Sequence, residues 1–251
     1  MAKKAIPLSE LPIVDTSINF IQPYIFNTGA VILMDKPLEW SSFQVVKYVR
    51  NRIPAKKVGH AGTLDPLATG LLVLCSGKAT KSISQIQELN KTYVAHIRLG
   101  ASTPSFDAAL ETDQTAPWKH IILPDIQNIV NQQFTGEISQ VPPIYSAIKV
   151  KGKRLYKLAR RGEQVEIEPR NVVIHDIKIT ECSLPDITLT IKCGKGTYIR
   201  SLAHDLGIAL GSRGYLTGLR RTKIGHFDAG TARTPHEFDE FMKQSINKNE
   251  Q

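Results

Sequence analysis

One carboxylate and one imidazole lie close together in a glycine-rich stretch, Gly59–Gly70, which leads directly into the apolar run Leu71–Leu74. The proline after Asp65 favours an extended backbone there, and glycines adopt conformations that other residues avoid. Loops that rigid elements hold in place often carry catalytic side chains, so Asp65 is a candidate for catalysis. An Asp before Pro is also an ordinary turn former, and both interpretations stay open on spacing alone. A P-loop is excluded because the stretch lacks the Gly-Lys-Ser/Thr ending.

Hydrophobic spacing predicts the elements that must position this loop. The run Gly29–Met34 indicates a buried strand, and Ser41 or Ser42 is a suitable N-cap for a helix whose apolar face includes Val45, Val46 and Val49. Leu71–Leu74 indicates a second strand. Further predictions are helices at 77–89, 124–134 and 198–210, strands at 91–99, 172–180 and 187–193, and a surface loop at 101–120.

Charge and composition narrow the class of protein. The chain has 32 Lys and Arg against 23 Asp and Glu, a net charge of +9, which suits a polyanionic partner or simply a basic soluble protein. No apolar run approaches the roughly 20 residues that span a bilayer, so a cytoplasmic protein is expected. The three cysteines (Cys75, Cys182 and Cys193) have no Cys-x-x-Cys spacing. We therefore expect neither a disulfide framework nor a zinc site.

A run of basic residues lies between Lys149 and Arg161, where seven Lys and Arg side chains occur without an acidic one. If Lys153–Arg161 is a helix, Arg154, Lys157 and Arg161 share its outer face. Such a face is often only solvated. It also suits contacts with the phosphates of RNA.

Six blocks of the sequence resemble, in the same order, those of the TruB family of tRNA pseudouridine-55 synthases. They are Met34–Pro37, Gly59–Lys81, Lys91–Tyr93, Val141–Lys149, Lys195–Arg200 and Leu219–Arg221. A further segment, Thr103–Asp107, keeps the outline of the family's Thr-x-Thr/Ser-x-x-Asp pattern with altered spacing, which leaves the role of Asp107 open.

The resemblance implies an α+β pseudouridine synthase fold, a mixed and mostly antiparallel sheet flanked by helices with a central RNA-binding cleft. It implies an N-terminal arm at 1–28, a catalytic domain at 29–240 with an RNA-gripping insertion at about 136–172, and a polar tail at 241–251. Many family members carry a C-terminal PUA domain. Some two dozen residues follow Phe227, so no PUA domain is expected.

The resemblance also implies roles for individual residues. Asp65 is the essential carboxylate, Arg200 forms a salt bridge to it, and Tyr93 stacks against the target base. The substrate-binding residues are expected to be His60, Lys81, Tyr198, Leu219, Arg154, Lys157 and Arg161. The expected partner is the T arm of tRNA, bound by a monomer, and the reaction needs no cofactor or metal.

The implied activity is isomerisation of the T-loop uridine at position 55 to pseudouridine, with the base flipped out of the RNA. Two other functions stay open. An RNA-guided pseudouridine synthase of the dyskerin type shares the catalytic Asp loop, but such proteins depend on a PUA domain and on protein partners. A non-catalytic RNA-binding protein or tRNA chaperone would use Asp65 only as a structural residue.

Overall fold

The structure is a computed structural model that describes residues 5–146, 149–150, 153–154 and 167–249, with the backbone alone at 149, 150, 153 and 154. The chain forms two compact units. The first contains the residues up to 92 together with those from 220 onward, and the second contains residues 93–219. The domain boundaries expected at residues 28 and 240 stay predictions.

Both units contain helices and strands. The α-helices of the described residues are α1 (Ile25–Thr28), α2 (Ser42–Arg50), α3 (Ile83–Glu88), α4 (Leu123–Gln133), α5 (Ile199–Ala209) and α6 (Pro235–Asn249). The strands are β1 (Ile13–Val14), β2 (Val31–Lys36), β3 (Val58–His60), β4 (Ala68–Ser76), β5 (Lys91–Leu99), β6 (Ala101–Ser102), β7 (Gln114–Thr115), β8 (Gly136–Gln140), β9 (Lys149–Val150), β10 (Lys153–Arg154), β11 (Arg170–Ser183), β12 (Asp186–Cys193), β13 (Gly214–Ile224) and β14 (Phe227–Asp228).

The sheet of the first unit is mixed. Strand β1 pairs in parallel with β2, whereas β4 runs antiparallel to both β2 and β3. Alternate residues of β2 and β4 belong to different hydrophobic clusters: Ile32 and Leu72 lie in one, Leu33 and Val73 in the other. Both faces of these strands are therefore buried, which explains why their sequences are apolar without alternation.

Helix α2 begins as its sequence predicts. Ser41 is the N-cap, and its side chain and that of Gln44 form a capping box. Val45, Val46 and Val49 are buried in the cluster that also contains residues of α6. The stripe of β-branched residues thus fixes which face of α2 is turned inward.

One helix prediction in the first unit needs correction. The segment Gly77–Ser82 is a 3-10 helix, and only Ile83–Glu88 is α-helical. Gly77 has φ of +50°, and its backbone is so close to the carbonyl groups of α1 that a tight turn replaces the first α-helical turn. At the C-terminus, α6 includes most of the segment expected to be a polar tail and ends at Asn249, with Phe241, Met242 and Ser245 buried.

The second unit carries an antiparallel sheet in which β11 pairs with both β8 and β12. Strand β5 neighbours β12, and its buried side consists of alternate residues from Tyr93 to Leu99, as predicted. Helix α4 buries Ile126 and Val130, and α5 buries an apolar face that includes Leu202 and Leu206. The predicted α+β class with a mixed sheet is confirmed.

Two further predictions differ from the structure. Residues 101–120 contain the short β6–β7 pair and a buried turn at 102–107, rather than a surface loop throughout. Lys153 and Arg154 lie in β10, which pairs with β9, so the helix predicted at 153–161 is wrong at its start. Residues 155–161, with Lys157 and Arg161, lie outside the described residues. No helix in the described part of the chain is long and apolar enough to cross a membrane.

Candidate active site

Asp65 lies in the loop that joins β3 to β4, and the first turn of α2 holds the residue before it. The Ser42 hydroxyl accepts a hydrogen bond from the Leu64 amide at 2.8 Å and donates one to the Leu64 carbonyl oxygen at 3.0 Å. Both Ser42 and Leu64 are buried. The backbone on the N-terminal side of Asp65 is therefore fixed to a helix that is itself anchored in the core.

A buried lysine holds the residue after Asp65. The ammonium group of Lys36 donates to the carbonyl oxygens of Pro37 at 2.8 Å, Trp40 at 2.6 Å and Pro66 at 3.2 Å. The Glu39 amide also donates to the Pro66 carbonyl at 2.8 Å. Pro66 is thereby tied to the segment that connects β2 to α2.

Arg221 holds the beginning of the same loop. It is almost fully buried, and its guanidinium group donates to the carbonyl oxygens of Gly62 at 3.1 Å and Leu71 at 2.8 Å. Gly70, with φ of +97°, lets the backbone of Arg221 approach so closely that a Cβ atom there would lie 2.3 Å from the Arg221 carbonyl oxygen. Residues 62, 64 and 66 are thus each held by a different side chain.

Charged groups of both signs surround the loop. Burial lowers the pKa of Lys36 to about 8; the nearby carboxylate of Asp65 opposes this shift, and the positive charge of Arg221 adds to it. Burial and Arg221 also lower the pKa of His60, so its imidazole is neutral at pH 7. At that pH a protonated Lys36 and an uncharged His60 accompany Asp65.

Lys81 lies apart from these contacts, at the rim of a surface pocket of about 570 Å³. The pocket is also lined by Lys56, Lys57 and Lys78, and all four lysines are exposed. This surface is strongly basic. The substrate-binding role that the resemblance implies for Lys81 stays a prediction.

Arg200, in the second unit, is buried rather than a surface charge. Its guanidinium group donates to the carbonyl oxygens of Ser105 at 3.1 Å and Tyr145 at 3.0 Å, and it lies 3.4 Å from the Asp107 carboxylate. The start of α5 is positioned by the buried side chain of Gln140, which accepts from the Tyr198 amide at 2.7 Å and donates to its carbonyl at 3.0 Å.

Asp107 is presented to Arg200 by a compact turn. The Ser105 hydroxyl and the Ala109 amide donate to one carboxylate oxygen of Asp107 at 2.6 and 3.0 Å. Phe106 has φ of +60°, and its ring stacks on that of His204 with centroids 3.8 Å apart. The altered Thr103–Asp107 segment therefore still supplies a buried carboxylate to Arg200.

The remaining predicted site residues are distributed over both units. Tyr93 is buried on β5 and Leu219 is half-buried on β13, both in the second unit, while Asp65 and His60 belong to the first. The salt bridge between Asp65 and Arg200 joins residues of different units and stays a prediction. The binding roles of Arg154, Lys157 and Arg161 also stay predictions, since their side chains lie outside the described residues.

Four supporting residues were not selected from the sequence: Lys36, Ser42, Arg221 and Asp107. Lys36 and Arg221 do lie in blocks that match the family, Met34–Pro37 and Leu219–Arg221. Ser42 was considered only as a helix cap, and no local pattern shows that its hydroxyl reaches residue 64. Among the described residues, no group of three or more His, Cys, Asp or Glu side chains is arranged to hold a metal ion.

Solved structures of similar fold include two macromolecular complexes. The chain matches one called "Crystal Structure of a Cbf5-Nop10-Gar1 Complex" with a TM-score of 0.68 and 26% identity, covering 97% of this chain and 66% of that one. A second, "Structure of H/ACA RNP bound to a substrate RNA containing 2'-deoxyuridine", matches with a TM-score of 0.67 and 25% identity, covering 91% of this chain. The chain spans 58% of the length of that second structure.

Sequence comparison defines the family. The family model described as "TruB family pseudouridylate synthase (N terminal domain)" matches residues 50–199, and that of the "tRNA pseudouridylate synthase B C-terminal domain" matches residues 200–251. Relatives called "tRNA pseudouridine synthase B" include one from Parabacteroides distasonis, 45% identical over 90% of this chain and 98% of its own length. Another, from Flavobacterium johnsoniae, is 51% identical over 88% of this chain and 99% of its own length. The chain belongs to the TruB family of pseudouridylate synthases.

Proposed function

We propose that the chain isomerises a uridine of tRNA to pseudouridine, that this uridine is position 55 of the T loop, and that a cytoplasmic monomer performs the reaction. The observation that carries the proposal is the Asp65 loop, in which Arg221, Ser42 and Lys36 hold the backbone at residues 62, 64 and 66. A carboxylate held in this way is preorganised for reaction at a bound nucleotide.

The reaction rearranges bonds within one nucleotide. The bond between the anomeric carbon and N1 of uracil breaks, the base turns, and a bond forms between the same carbon and C5. The proton on C5 is lost and N1 gains one, so no redox partner is required. The Asp65 carboxylate can assist by attacking the anomeric carbon, by adding to the uracil ring or by abstracting a sugar proton.

The other site residues have supporting roles in this proposal. The target uridine must leave the stacked RNA loop, which costs a few kcal/mol, and His60 fills the space that it vacates. An uncharged imidazole, as burial favours at His60, suits stacking between bases. Tyr93 stacks against the flipped uracil, Leu219 packs beside it, and Arg200 forms a salt bridge to Asp65.

Phosphate contacts come from the basic surface. Lys81 with its neighbouring lysines, and the run that includes Arg154, Lys157 and Arg161, are proposed to bind the RNA backbone by charge. Tyr198 supports the wall of the site at the start of α5.

A stand-alone tRNA enzyme is favoured over a guided synthase by the extent of the matches. The chain aligns with 98% of the Parabacteroides distasonis relative but with only 66% of the chain in the Cbf5-Nop10-Gar1 complex. The match to nearly the whole of a relative called "tRNA pseudouridine synthase B" supports direct recognition of tRNA.

The test is release of tritium from tRNA that carries tritium at C5 of its uridines, with wild type and Asp65→Asn compared at equal folded concentration. Release by wild type alone supports the proposal, and mapping the product to position 55 supports the T-loop assignment. Equal RNA binding without release by either protein would contradict the enzymatic function and favour an RNA-binding protein. Release that depends on an added guide RNA would contradict stand-alone action.

A further inference from the structure

The outer face of α2 carries an aromatic ring and two cations that no role described above uses. Phe43, Lys47 and Arg50 follow one another at spacings of four and three residues, which places them on one side of the helix. All three are exposed, and 68% of the surface of Phe43 is accessible, the largest such fraction among the exposed large hydrophobic residues of the described chain. We call these three residues the α2 outer face.

Packing of α2 does not require this phenylalanine. The inner face is made of valines, and the helix is further anchored by Tyr48, whose ring lies 5.5 Å from that of Trp40 and 3.4 Å below the guanidinium carbon of Arg52. A large apolar ring in water contributes nothing to such packing. Its exposure leaves the ring available for contact with a partner.

The electrostatics of the face select an anionic partner. Helix α2 contains no acidic residue, and within the described residues neither Lys47 nor Arg50 forms an ion pair. Glu39, in the preceding segment, is the nearest acidic residue along the chain on that side. Two unpaired cations beside an exposed ring match the pattern of single-stranded nucleic acid sites, in which cations contact phosphates and aromatic rings stack on bases.

The position of the face relative to the reaction strengthens this assignment. Phe43 directly follows Ser42, the residue that holds Leu64 and hence the Asp65 loop. Lys47 and Arg50 lie roughly 6 and 10 Å farther along the helix axis, at a rise of about 1.5 Å per residue. An RNA strand that placed a nucleotide at the Asp65 loop and followed α2 toward its C-terminus would meet the ring first and the cations next.

From this arrangement we infer that the α2 outer face is a substrate-positioning surface: Phe43 stacks on a nucleotide next to the reacting uridine, and Lys47 and Arg50 contact the phosphates that follow. The inference rests on the proposed RNA substrate. It assigns a ring-stacking and phosphate-binding role to a helix for which the sequence analysis predicted only an apolar inner face.

Stacking is tested through the affinity for an unmodified tRNA transcript, measured in the Asp65→Asn background so that the RNA is not converted. Phe43→Ala should weaken binding about 5- to 140-fold, the range for loss of one aromatic stack, without changing the salt dependence. Phe43→Trp should restore affinity, and its added fluorescence should be quenched on RNA binding. Tyr24, also exposed at 63%, supplies the matched controls Tyr24→Ala and Tyr24→Trp, which should bind as the parent does and show no added quenching.

The cations are tested through the salt dependence of the same binding. The double variant Lys47→Ala/Arg50→Ala should reduce the slope of log K against log salt by about 1.4 to 1.8, for two lost phosphate contacts. Lys178→Ala, on β11 with 72% of its side chain exposed, is the matched control and should leave the slope unchanged. Parental affinity for Phe43→Ala, or an unchanged slope for the double variant, would overturn the inference.

Two other outcomes would separate this inference from a protein contact and from the proposed isomerase function. If Phe43→Ala binds RNA normally but alters self-association in sedimentation, the face is a protein contact and the inference is wrong. If the wild-type chain releases no tritium from tRNA while Phe43→Ala still loses RNA affinity, the inference stands as an RNA-binding surface and the proposed isomerase function fails.

Discussion

The hydroxyl of Ser42 and the backbone of Leu64 are joined by two hydrogen bonds, one in each direction, of 2.8 and 3.0 Å. A single oxygen atom at the start of α2 thus satisfies both polar groups of the residue before Asp65. Because α2 is anchored through its buried valines, the position of the candidate catalytic carboxylate depends on the packing of a neighbouring helix.

Replacement of Ser42 by Ala should therefore lower both catalysis and stability. We expect the free energy of unfolding to fall by about 1–3 kcal/mol, because two buried backbone groups lose their partner. The kcat for pseudouridine formation should fall by about 10- to 100-fold, because the loop is no longer held in place.

The adjacent Ser41→Ala is the matched control for this change. It removes the N-cap of α2 and should cost about 1 kcal/mol of stability while kcat is retained, since Ser41 makes its side-chain contacts within the capping box. Equal loss of kcat in the two variants would show that helix stability, rather than the contact with Leu64, positions the loop.

Removing one partner of the buried ion pair between Arg200 and Asp107 should cost far more than removing one partner of a surface pair. Both side chains are about nine-tenths buried or more. Asp107→Asn removes a buried negative charge from Arg200, so the free energy of unfolding should fall by about 3 kcal/mol or more. Chemical denaturation measures this loss. In contrast, Asp186→Asn breaks the exposed pair with Arg98, where about half of each side chain is accessible, and should cost less than about 1 kcal/mol. Similar losses in the two variants would contradict a buried structural role for Asp107.

Titration of Lys36 above about pH 8 should lower the activity while it raises the free energy of unfolding. Its pKa of about 8 in the folded chain lies below the ordinary value of 10.5, so the folded state releases this proton more readily than the unfolded state. The unfolded state binds more protons between about pH 8 and 10, and the free energy of unfolding should rise with pH there by this contribution. Activity should fall above about pH 8, because the positive charge beside Asp65 is lost.

The variant Lys36→Met tests both statements. It should be less active at pH 7, because the carbonyl groups of Pro37, Trp40 and Pro66 lose their shared donor. It should also lack the alkaline decline in activity and the associated rise in stability. An alkaline limb identical to that of wild type would assign the titration to another group.

Replacement of Gly70 should strongly destabilise the fold because the backbone of Arg221 passes close to it. Gly70→Ala would place a Cβ atom 2.3 Å from the backbone oxygen of Arg221, so the segment that carries this buried arginine would have to move. We expect a loss of about 4 kcal/mol or more in the free energy of unfolding. Gly136 has a similar φ of +93° but open space around it, so Gly136→Ala should cost only about 1–2 kcal/mol of backbone strain. Comparable losses at both positions would show that φ, not the close approach, makes Gly70 necessary.

Local patterns predicted many of the elements. The alternation in β5, the valine stripe and Ser cap of α2 and the apolar stripe of α4 each depend on residues a few positions apart, which the sequence displays directly. The errors have a different origin. The polar segment 101–120 was predicted to be a surface loop, yet Ser102, Thr103, Ser105 and Asp107 are buried, because Asp107 meets Arg200 from a position 93 residues away.

The start of the predicted helix at 153–161 fails for a related reason. Helical spacing of charges is compatible with a solvated face, but β9 and β10 pair with each other at Lys153 and Arg154, and strand pairing overrides helix propensity. Similarly, the apolar residues of the C-terminal segment extend α6 to Asn249, because they meet the cluster that contains the valines of α2.

The sequence by itself determined the family, the candidate carboxylate Asp65 and the basic character that suits RNA, because these are properties of residue types and of their order along the chain. Only the tertiary structure decided what holds the carboxylate. Lys36, Ser42 and Arg221 lie 29, 23 and 156 positions from Asp65, and they reach its loop because the sheet and α2 bring their donors to the backbone at residues 66, 64 and 62. Every residue has a backbone carbonyl group, so the residue types at 62, 64 and 66 do not indicate which side chain binds them. Such hydrogen bonds can be identified only from the folded structure.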